Sequence, residues 1–280
     1  MAGGAATPII NKSAFSGIIV RVPDAQTMSS IGELLGALDD LIENSRRRIE
    51  VLEEVAHRIY REWFVHFRYP GHENGALVDS TLGLIPAGWD VKSLGDISKN
   101  FDRLRKPLSK LERQQRRGSV PYYGAAKVID WVDGWIFDGE YLLFAEDGSV
   151  QTPDGFPVLQ LVHEKFWANN HTHILQGDGV SARFIYLASA GQPIAGYVTG
   201  AAQPKITQAN LNRMPIVVGS PDVHQAFNHA VNPIFDLLLV LHRQTASLVA
   251  VRDMLLPKLV TGQIDVSSLD FDALVADSVA

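Results

Sequence analysis

The chain has 280 residues, of which 46% are hydrophobic, so it can bury the core of one large domain or of a domain with an accessory element. Its formal net charge of −6 argues at first sight against a nucleic-acid partner, although a local basic patch is compatible with this average. The absence of cysteine excludes disulfides, thiolate metal sites and a cysteine nucleophile, and it fits a reducing compartment. We find no uninterrupted apolar run of about 18 residues and no signal-peptide pattern at the start, which predicts a cytoplasmic protein with no membrane partner.

The first predicted elements are a strand with its loop and a long helix. GIIVRVPDAQ (residues 17–26) is typical of a strand followed by a loop, within a segment of residues 1–29. A helix is predicted over residues 30–69, with Ser29 or Ser30 as its N-cap and Glu33 closing a capping box from Ser30. Its apolar or small residues recur at steps of three and four, which predicts a pairing seam formed by Leu35, Leu38, Ile42, Ile49, Leu52 and Ile59.

The middle of the chain, residues 77–218, has a different sequence pattern from the two predicted helices. Short apolar runs such as EYLLFAEDGS and FPVLQLV are broken by glycine, proline, aspartate and asparagine, which predicts short strands with a few helices. ARFIYLASA, residues 182–190, is typical of one or two helical turns. This segment has the size of one compact α+β domain.

A second long helix is predicted over residues 231–262, starting after Asn232-Pro233 and ending at Thr261-Gly262. Its seam residues are Leu238, Leu241, Leu248 and Leu255. MPIVVGSPDVHQ before it repeats the pattern of a strand and a loop that precedes the first helix. We therefore predict that the two helices pair antiparallel, with an acidic, flexible tail at residues 263–280. The alternative is that each helix packs on the middle domain instead.

Signatures of catalysis are weak in this sequence. GAAQPKIT has the lysine of a phosphate-binding loop but lacks its second glycine, and Asn232-Pro233-Ile234-Phe235 lacks the second proline of the amino-methyltransferase loop. His171 and His173 would share one face of a strand, but no cysteine or carboxylate pattern accompanies them. We therefore predict a polar surface there, with no metal ligands and no catalytic residues.

The strongest local signal is the basic segment, residues 99–117, which holds eight basic residues and two acidic ones. Tyrosines follow at Tyr122 and Tyr123, with Lys127 beyond them. Arginine and lysine suit phosphate oxygens, and nearby tyrosine and glutamine suit base edges, so this pattern indicates nucleic-acid binding. The alternative is a solvated charged loop.

Several motifs together resemble the specificity subunits of type I restriction-modification systems across nearly the whole chain. GALDDLIENSRRRIEVLEEVAHRIYREWFVHF resembles the central conserved helix of that family, and MLLPKLVTGQIDV resembles its C-terminal helix end. IPAGWDVKSLGDI, VPYYGAAKVIDWVDGWIFDGEYLLFAEDGS and YVTGAAQPKITQANLNRMPIVV resemble the entry, body and exit of a target recognition domain. The implied fold is α+β, with one target recognition domain at residues 77–218 flanked by two long helices that form an antiparallel coiled coil.

The resemblance implies a protein without catalysis of its own. Such subunits read double-stranded DNA and dock DNA adenine methyltransferase subunits, which use S-adenosylmethionine, and restriction or motor subunits join through the complex. The resemblance implies that this chain itself binds no cofactor. The family pattern has two recognition domains where this chain has one, and residues 1–29 are similar to the end of a missing domain. We therefore expect a half-size form that pairs head to tail with a second copy and reads a palindromic bipartite target.

Three alternatives remain open. A truncated, specificity-like scaffold or inhibitor would bind methyltransferase subunits without reading DNA productively, and pairing with a different half-subunit would give an asymmetric target. An enzyme acting alone would have to transfer methyl groups without any partner.

The site residues are assigned as hypotheses. We assign phosphate contacts to Arg103, Arg105, Lys106, Arg116 and Arg117, and base or groove contacts to Tyr122, Tyr123, Lys127, Gln203 and Lys205. We assign methyltransferase docking to the outward faces of both long helices, at Arg46, Arg47, Glu53, Arg61 and Arg243.

Overall fold

The structure is a computed structural model that describes residues 11–19, 22–200 and 202–266, with the side chain of Asn74 left aside. The chain divides into two compact units, residues 1–51 with 238–280 and residues 52–237, which are described separately here. Both long helices contribute residues to both units.

The α-helices are α1 Lys12–Ser16, α2 Ala25–Tyr60, α3 Lys110–Gln115, α4 Ala182–Ala190, α5 Gln208–Asn212 and α6 Pro221–Val260. The strands are β1 Leu77–Ser80, β2 Gly83–Pro86, β3 Asp90–Ser93, β4 Ser98–Asn100, β5 Arg117–Tyr123, β6 Val128–Val132, β7 Tyr141–Ala145, β8 Leu159–Val162, β9 Trp167–Ala168, β10 Thr172–Gly177, β11 Val198–Thr199, β12 Lys205–Ile206 and β13 Pro215–Val218. Single 3₁₀ turns lie at His72–Asn74, Leu94–Asp96, Asp102–Leu104 and Ala195–Tyr197. The α+β class, with a long helix on each side of one region of short strands, is confirmed.

The first long helix begins earlier than the sequence predicted. Asp24 caps it, because its Oδ1 accepts from the backbone N–H of Thr27 at 2.9 Å and its Oδ2 accepts from the Thr27 hydroxyl at 2.8 Å. Ser29 and Ser30 therefore lie inside α2, and the capping box predicted from Ser30 is wrong. The α-helix ends at Tyr60, and a π-helical turn, Arg61–Val65, follows it.

The second long helix also begins earlier, at Pro221 instead of residue 231. Proline fits the first helical position because its missing N–H has no intrahelical partner there. Pro233 lies inside the helix, so the predicted start at Asn232-Pro233 is wrong. Close to this proline, Arg183 Nη1 donates to the backbone oxygen of Asn232 at 3.0 Å and to its side-chain oxygen at 3.2 Å. These hydrogen bonds connect α6 to α4 beside the proline.

The predicted N-terminal strand is not seen in the described part of residues 17–26. Gly17–Ile19 and Val22–Asp24 have no strand pairing, while Val20 and Arg21 lie outside the described residues. The short helix α1 precedes them. Most of the predicted acidic tail, residues 267–280, also lies outside the described residues.

In the first unit, α2 and α6 contact each other. Ile31, Leu34 and Leu35 form one apolar cluster with Leu255, Leu259, Ile264 and Val266. Arg252 Nη1 also donates to Asp39 Oδ1 at 2.9 Å. Because later residues of α2 lie against earlier residues of α6, the two helices run antiparallel here. The predicted seam residues are buried at Ile42, Ile49, Leu238 and Leu241 and half-buried at Leu35, Leu38, Leu52, Ile59, Leu248 and Leu255.

The second unit is built on a four-stranded antiparallel sheet in the order β4-β10-β7-β8 and a three-stranded sheet in the order β6-β5-β9. Strand β7 is fully buried because both of its faces are covered, which explains its continuous apolar sequence YLLFA. Helix α4 packs on β7, β8 and β10. Strand β13 pairs antiparallel with β3. The predicted helix ARFIYLASA and the predicted strand in MPIVV are both confirmed.

The second unit has an aromatic cluster next to the C-terminal end of α2. Phe64 lies with its ring centroid 4.9 Å from Phe184 and 5.0 Å from Phe227, and Trp89 packs at 5.2 Å. The cluster buries His224, whose two ring nitrogens have no hydrogen-bond partner among the described residues. A buried imidazole without partners reduces the stability of the folded state.

Within the described residues, α6 is long and apolar enough to cross a membrane by length and composition, with a mean hydropathy of 1.5 over 18 residues. Only 17% of that window is buried. A search for an uninterrupted apolar run does not find this helix, because polar residues interrupt its sequence, whereas a mean over 18 residues tolerates them. The helix therefore exposes apolar side chains.

Candidate nucleic-acid interface

The basic segment includes residues of four local elements of the second unit: β4, the 3₁₀ turn Asp102–Leu104, α3 and the start of β5. Ser109 caps α3 because its hydroxyl accepts from the N–H of Glu112, and the Glu112 carboxylate accepts from the N–H of Ser109. Arg103, Lys106 and Arg117 are exposed, and their side chains donate no hydrogen bond within the part of the chain that the structure describes. These three cations are therefore available to an anionic partner.

Arg105 differs from its neighbours because its side chain is mostly buried. Its Nη1 donates to Glu146 Oε2 at 2.5 Å and to the backbone oxygen of Thr172 at 2.7 Å, and its Nε donates to the backbone oxygen of Asp102 at 3.0 Å. These bonds occupy the guanidinium inside the domain. The predicted phosphate contact at Arg105 is corrected: this arginine holds the basic segment against β7 and β10.

Arg105 belongs to a larger ion-pair cluster, which we define as Asp102, Arg105, Glu146, His173 and Lys205. Lys205 Nζ lies 3.0 Å from Glu146 Oε1, and His173 Nδ1 lies 2.5 Å from Asp102 Oδ2. Burial opposes ionisation of both carboxylates. Hydrogen bonds from His173 to Asp102, and from Arg105 and Lys205 to Glu146, nevertheless leave the pKa of each below its ordinary value. Both acids are therefore charged in the folded protein.

Three members of this cluster have the spacing of metal ligands. The ligand atoms of Asp102, Glu146 and His173 lie within 4.8 Å of one another. Arg105 and Lys205 already donate to these acids. Two cations in the ligand space make an ion-pair centre a better fit than a metal site. His173 is also only 1% exposed, so the polar surface predicted for it is wrong.

Arg116 has one exposed and one packed face. Its guanidinium lies 4.7 Å from the ring centroid of Trp167, and its Nη2 pairs with Asp133 Oδ1 at 2.9 Å. Stacking on tryptophan and an acidic partner together fix its orientation. A phosphate contact here stays a prediction, and it would have to compete with Asp133.

The two tyrosines are more buried than the predicted base contacts implied. Tyr122 is 1% exposed, and its hydroxyl oxygen accepts from the backbone N–H of Leu108 at 2.9 Å. Tyr123 is half-buried against Phe166, and burial together with the Glu164 carboxylate raises the pKa of Tyr123 to about 12. The predicted base contact at Tyr122 is corrected, because the ring supports the start of α3. The role of Tyr123 stays a prediction.

Lys127 and Gln203 lie in two surface loops, and Lys205 begins β12 directly after the second loop. Gly200 begins the second loop with φ of 84°, and a Cβ there would lie 2.4 Å from the Gln203 backbone oxygen, so glycine is required. Gln203 is exposed, while Lys205 is exposed along much of its length although its Nζ contacts Glu146. Lys127 is exposed in the turn between β5 and β6, where Gln160 donates to the backbone oxygens of Gly124 and Ala125.

Sequence analysis did not single out an exposed apolar surface on this domain. Trp131 is 53% exposed and Ile129 is 45% exposed, and both lie on β6 at the edge of its sheet. Trp135 is similarly exposed beneath Lys165, whose Nζ lies 4.0 Å from its ring centroid. The alternating apolar residues of VIDWV were a signal, but alternation alone does not tell which face is buried.

The residues assigned to partner docking lie on α2, on the turn after it and on α6. Arg46, Arg47, Arg61 and Arg243 are exposed, with Arg47 paired to Glu43 at 3.0 Å and Arg61 paired to Glu54 at 2.9 Å. Glu53 is half-buried, and its charge contributes to the raised pKa of Tyr186. Their docking role stays a prediction.

Comparison with known proteins places this geometry in context. Residues 86–222 match the family model described as the type I restriction modification DNA specificity domain. The chain is 26% identical over 286 residues to the type I restriction enzyme MjaIX specificity subunit of Methanocaldococcus jannaschii, and the match covers 96% of this chain and 66% of that protein. It is 34% identical over 128 residues to the putative type I restriction enzyme specificity subunit S.HindORF215P of Haemophilus influenzae, covering 45% of this chain and 32% of that protein.

The fold is also similar to a solved structure. The type I restriction-modification system S subunit from M. genitalium superposes with a TM-score of 0.60 at 16% identity, covering 92% of this chain and 67% of that one. This likeness shows the fold. The chain thus spans about two thirds of this structure and of the M. jannaschii relative, and 32% of the H. influenzae relative.

Proposed function

The chain belongs to the specificity-subunit family of type I restriction-modification systems, and from this premise we propose that it reads one half of a bipartite DNA target. The observation that carries the proposal is the set of exposed cations on the matched domain, at Arg103, Lys106, Arg117 and Lys127, together with exposed Gln203 on the same domain. The cations suit phosphates, and the glutamine amide suits an adenine edge.

Exposed Trp131 and Ile129 add an apolar component to this surface. Apolar side chains contact thymine methyl groups or enter between base steps when they lie among basic residues. The buried cluster around Arg105 supports the proposal indirectly, because it fixes the backbone that carries the exposed cations. Arg105 and Tyr122 themselves are left out of the proposed contact set.

We propose that the active form contains a second copy of the chain. The first unit exposes apolar side chains on both helices: Met28, Leu41 and Val51 on α2, and Val240, Val251, Met254, Leu256 and Val260 on α6. Exposed apolar residues in such number indicate a protein interface. Charged residues, including Arg243 and Arg252, interrupt this part of α6, which opposes a membrane as the partner. A head-to-tail pair would supply two reading domains and a palindromic target.

In this proposal the catalytic steps belong to other subunits. DNA adenine methyltransferase subunits bind S-adenosylmethionine and dock on the long helices, this chain binds no cofactor, and restriction subunits join through the complex in the cytoplasm. The exposed arginines of α2 and α6 support docking because arginine forms paired hydrogen bonds with carboxylates of a partner.

Mapping methylated adenines in cells with and without this chain tests the proposal. We expect methylation of one palindromic bipartite motif that disappears when the chain is deleted. An asymmetric motif would indicate a different partner half. Purified chain that binds methyltransferase subunits but retains no DNA by sequence would favour a scaffold or inhibitor, and methyl transfer by the chain alone would show that it is an enzyme.

A further inference from the structure

His173 lies between two hydrogen-bond acceptors. Its Nδ1 lies 2.5 Å from Asp102 Oδ2, and its Nε2 lies 2.9 Å from the backbone oxygen of Ile206. A backbone carbonyl only accepts, so Nε2 carries a proton. The contact between Nδ1 and Asp102 needs a second proton, because otherwise two lone pairs would face each other at this distance.

The neighbouring groups decide which atom holds the second proton. Asp102 Oδ1 accepts from the backbone N–H of Ile174 at 2.9 Å, and Arg105 Nη2 lies 3.5 Å from Asp102 Oδ2. Both contacts favour the ionised carboxylate, which leaves the second proton on Nδ1 of His173. The other charged groups at the ring are Glu146, 3.8 Å from Nδ1, and Lys205, which pairs with Glu146. Near the cluster, His171 pairs with Asp147.

The two acceptors, Asp102 and Ile206, belong to segments that contact DNA in the proposed function. Asp102 directly precedes Arg103 in the basic segment. Ile206 directly follows Lys205, at the end of the loop that carries Gln203. We propose that His173 is a positioning residue whose doubly protonated ring joins the basic segment to this loop and so fixes the spacing between phosphate contacts and base contacts. Its relation to DNA rests on the proposed function, whereas its protonation follows from the geometry alone.

Nuclear magnetic resonance of the full chain with ¹⁵N-labelled histidine tests the protonation directly. The signals lost in His173→Gln assign the ring. From the two acceptors at its ring we expect both nitrogens of His173 to carry protons, and a ring with one unprotonated nitrogen overturns the proposal. In Asp102→Asn the amide N–H would replace the carboxylate opposite Nδ1, so we expect a neutral ring with its proton on Nε2. A ring that stays doubly protonated there overturns the assigned cause.

DNA binding tests the positioning role, in the complex with methyltransferase subunits and with a duplex that carries the motif found by methylation mapping. A charge-assisted hydrogen bond supports an effect of about 10- to 100-fold, so His173→Gln should weaken binding by that factor. The matched control is His171→Gln. His171 lies two residues from His173 and its side chain is exposed, so this variant should change affinity less than about threefold.

The outcomes separate the two claims. Equal affinities of the two variants would overturn the positioning role even if the wild-type protein reads DNA. Failure of the wild-type complex to prefer the motif would reject the proposed function, and the resonance experiment would still decide the state of His173. If His173→Gln does not fold, Asp102→Asn and its ring signals carry the test.

Discussion

Arg103 and Arg105 are two residues apart and chemically identical, yet the structure predicts opposite consequences for their removal. Replacing Arg105 by methionine deletes its bonds to Glu146, Thr172 and Asp102. Removing one partner of a buried ion pair costs about 3 to 5 kcal/mol, because the remaining charge stays buried. Lys205 and His173 still compensate part of the charge on the two acids, so we expect a loss near the lower limit, about 3 kcal/mol. Arg103→Met should change stability by less than about 0.5 kcal/mol, because its side chain is exposed.

Urea unfolding of both variants, followed by tryptophan fluorescence, measures this difference. The two proteins have the same composition and net charge, so each serves as the control for the other. In DNA binding the order should reverse: Arg103→Met weakens binding, whereas folded Arg105→Met retains the salt dependence of the wild type. An Arg105→Met protein that loses less than about 1 kcal/mol would refute the ion-pair argument.

Three further predictions concern charge, pH and helix packing. Replacing Arg103, Lys106 and Arg117 together by glutamine should reduce the magnitude of the slope of log affinity against log salt by about 2 to 3. Fluorescence anisotropy measures this slope. A slope unchanged from the wild type would show that these residues do not contact the DNA. Burial lowers the pKa of His224 to about 4 from 6.5, so between these values the unfolded chain binds a proton that the folded chain does not. The free energy of unfolding should therefore fall by up to about 3 kcal/mol as pH falls through this window. Urea titrations at about pH 7 and about pH 5 measure this change, and His224→Leu should remove it. A variant with the same pH dependence as the wild type would contradict the assignment to His224. Leu259→Ala in the apolar cluster of the first unit should lower the free energy of unfolding by about 2 to 5 kcal/mol, whereas Leu111→Ala, at an exposed position of α3, should have little effect. Equal losses would argue against the pairing of α2 and α6.

The sequence by itself determined the classes of element. The steps of three and four in both long helices, and the short apolar runs between them, predicted the α+β architecture, because local periodicity reports which side chains must be buried. It also predicted the basic segment, since charge density is a property of composition. Helix starts were less well predicted: Asp24 and Pro221 are the true first signals, but Ser30 and Pro233 match the same local rules.

Only the tertiary structure decided which charged and aromatic residues face solvent. Arg105 and Arg103 are equivalent in sequence, and the difference between them arises because Glu146 and Thr172, which are both far from Arg105 in the chain, accept hydrogen bonds from that one arginine. Tyr122 and Trp131 are likewise both aromatic residues of paired strands, yet one is buried and the other is exposed. Local pattern cannot assign these roles, because burial and ion pairing are set by contacts between segments far apart in sequence.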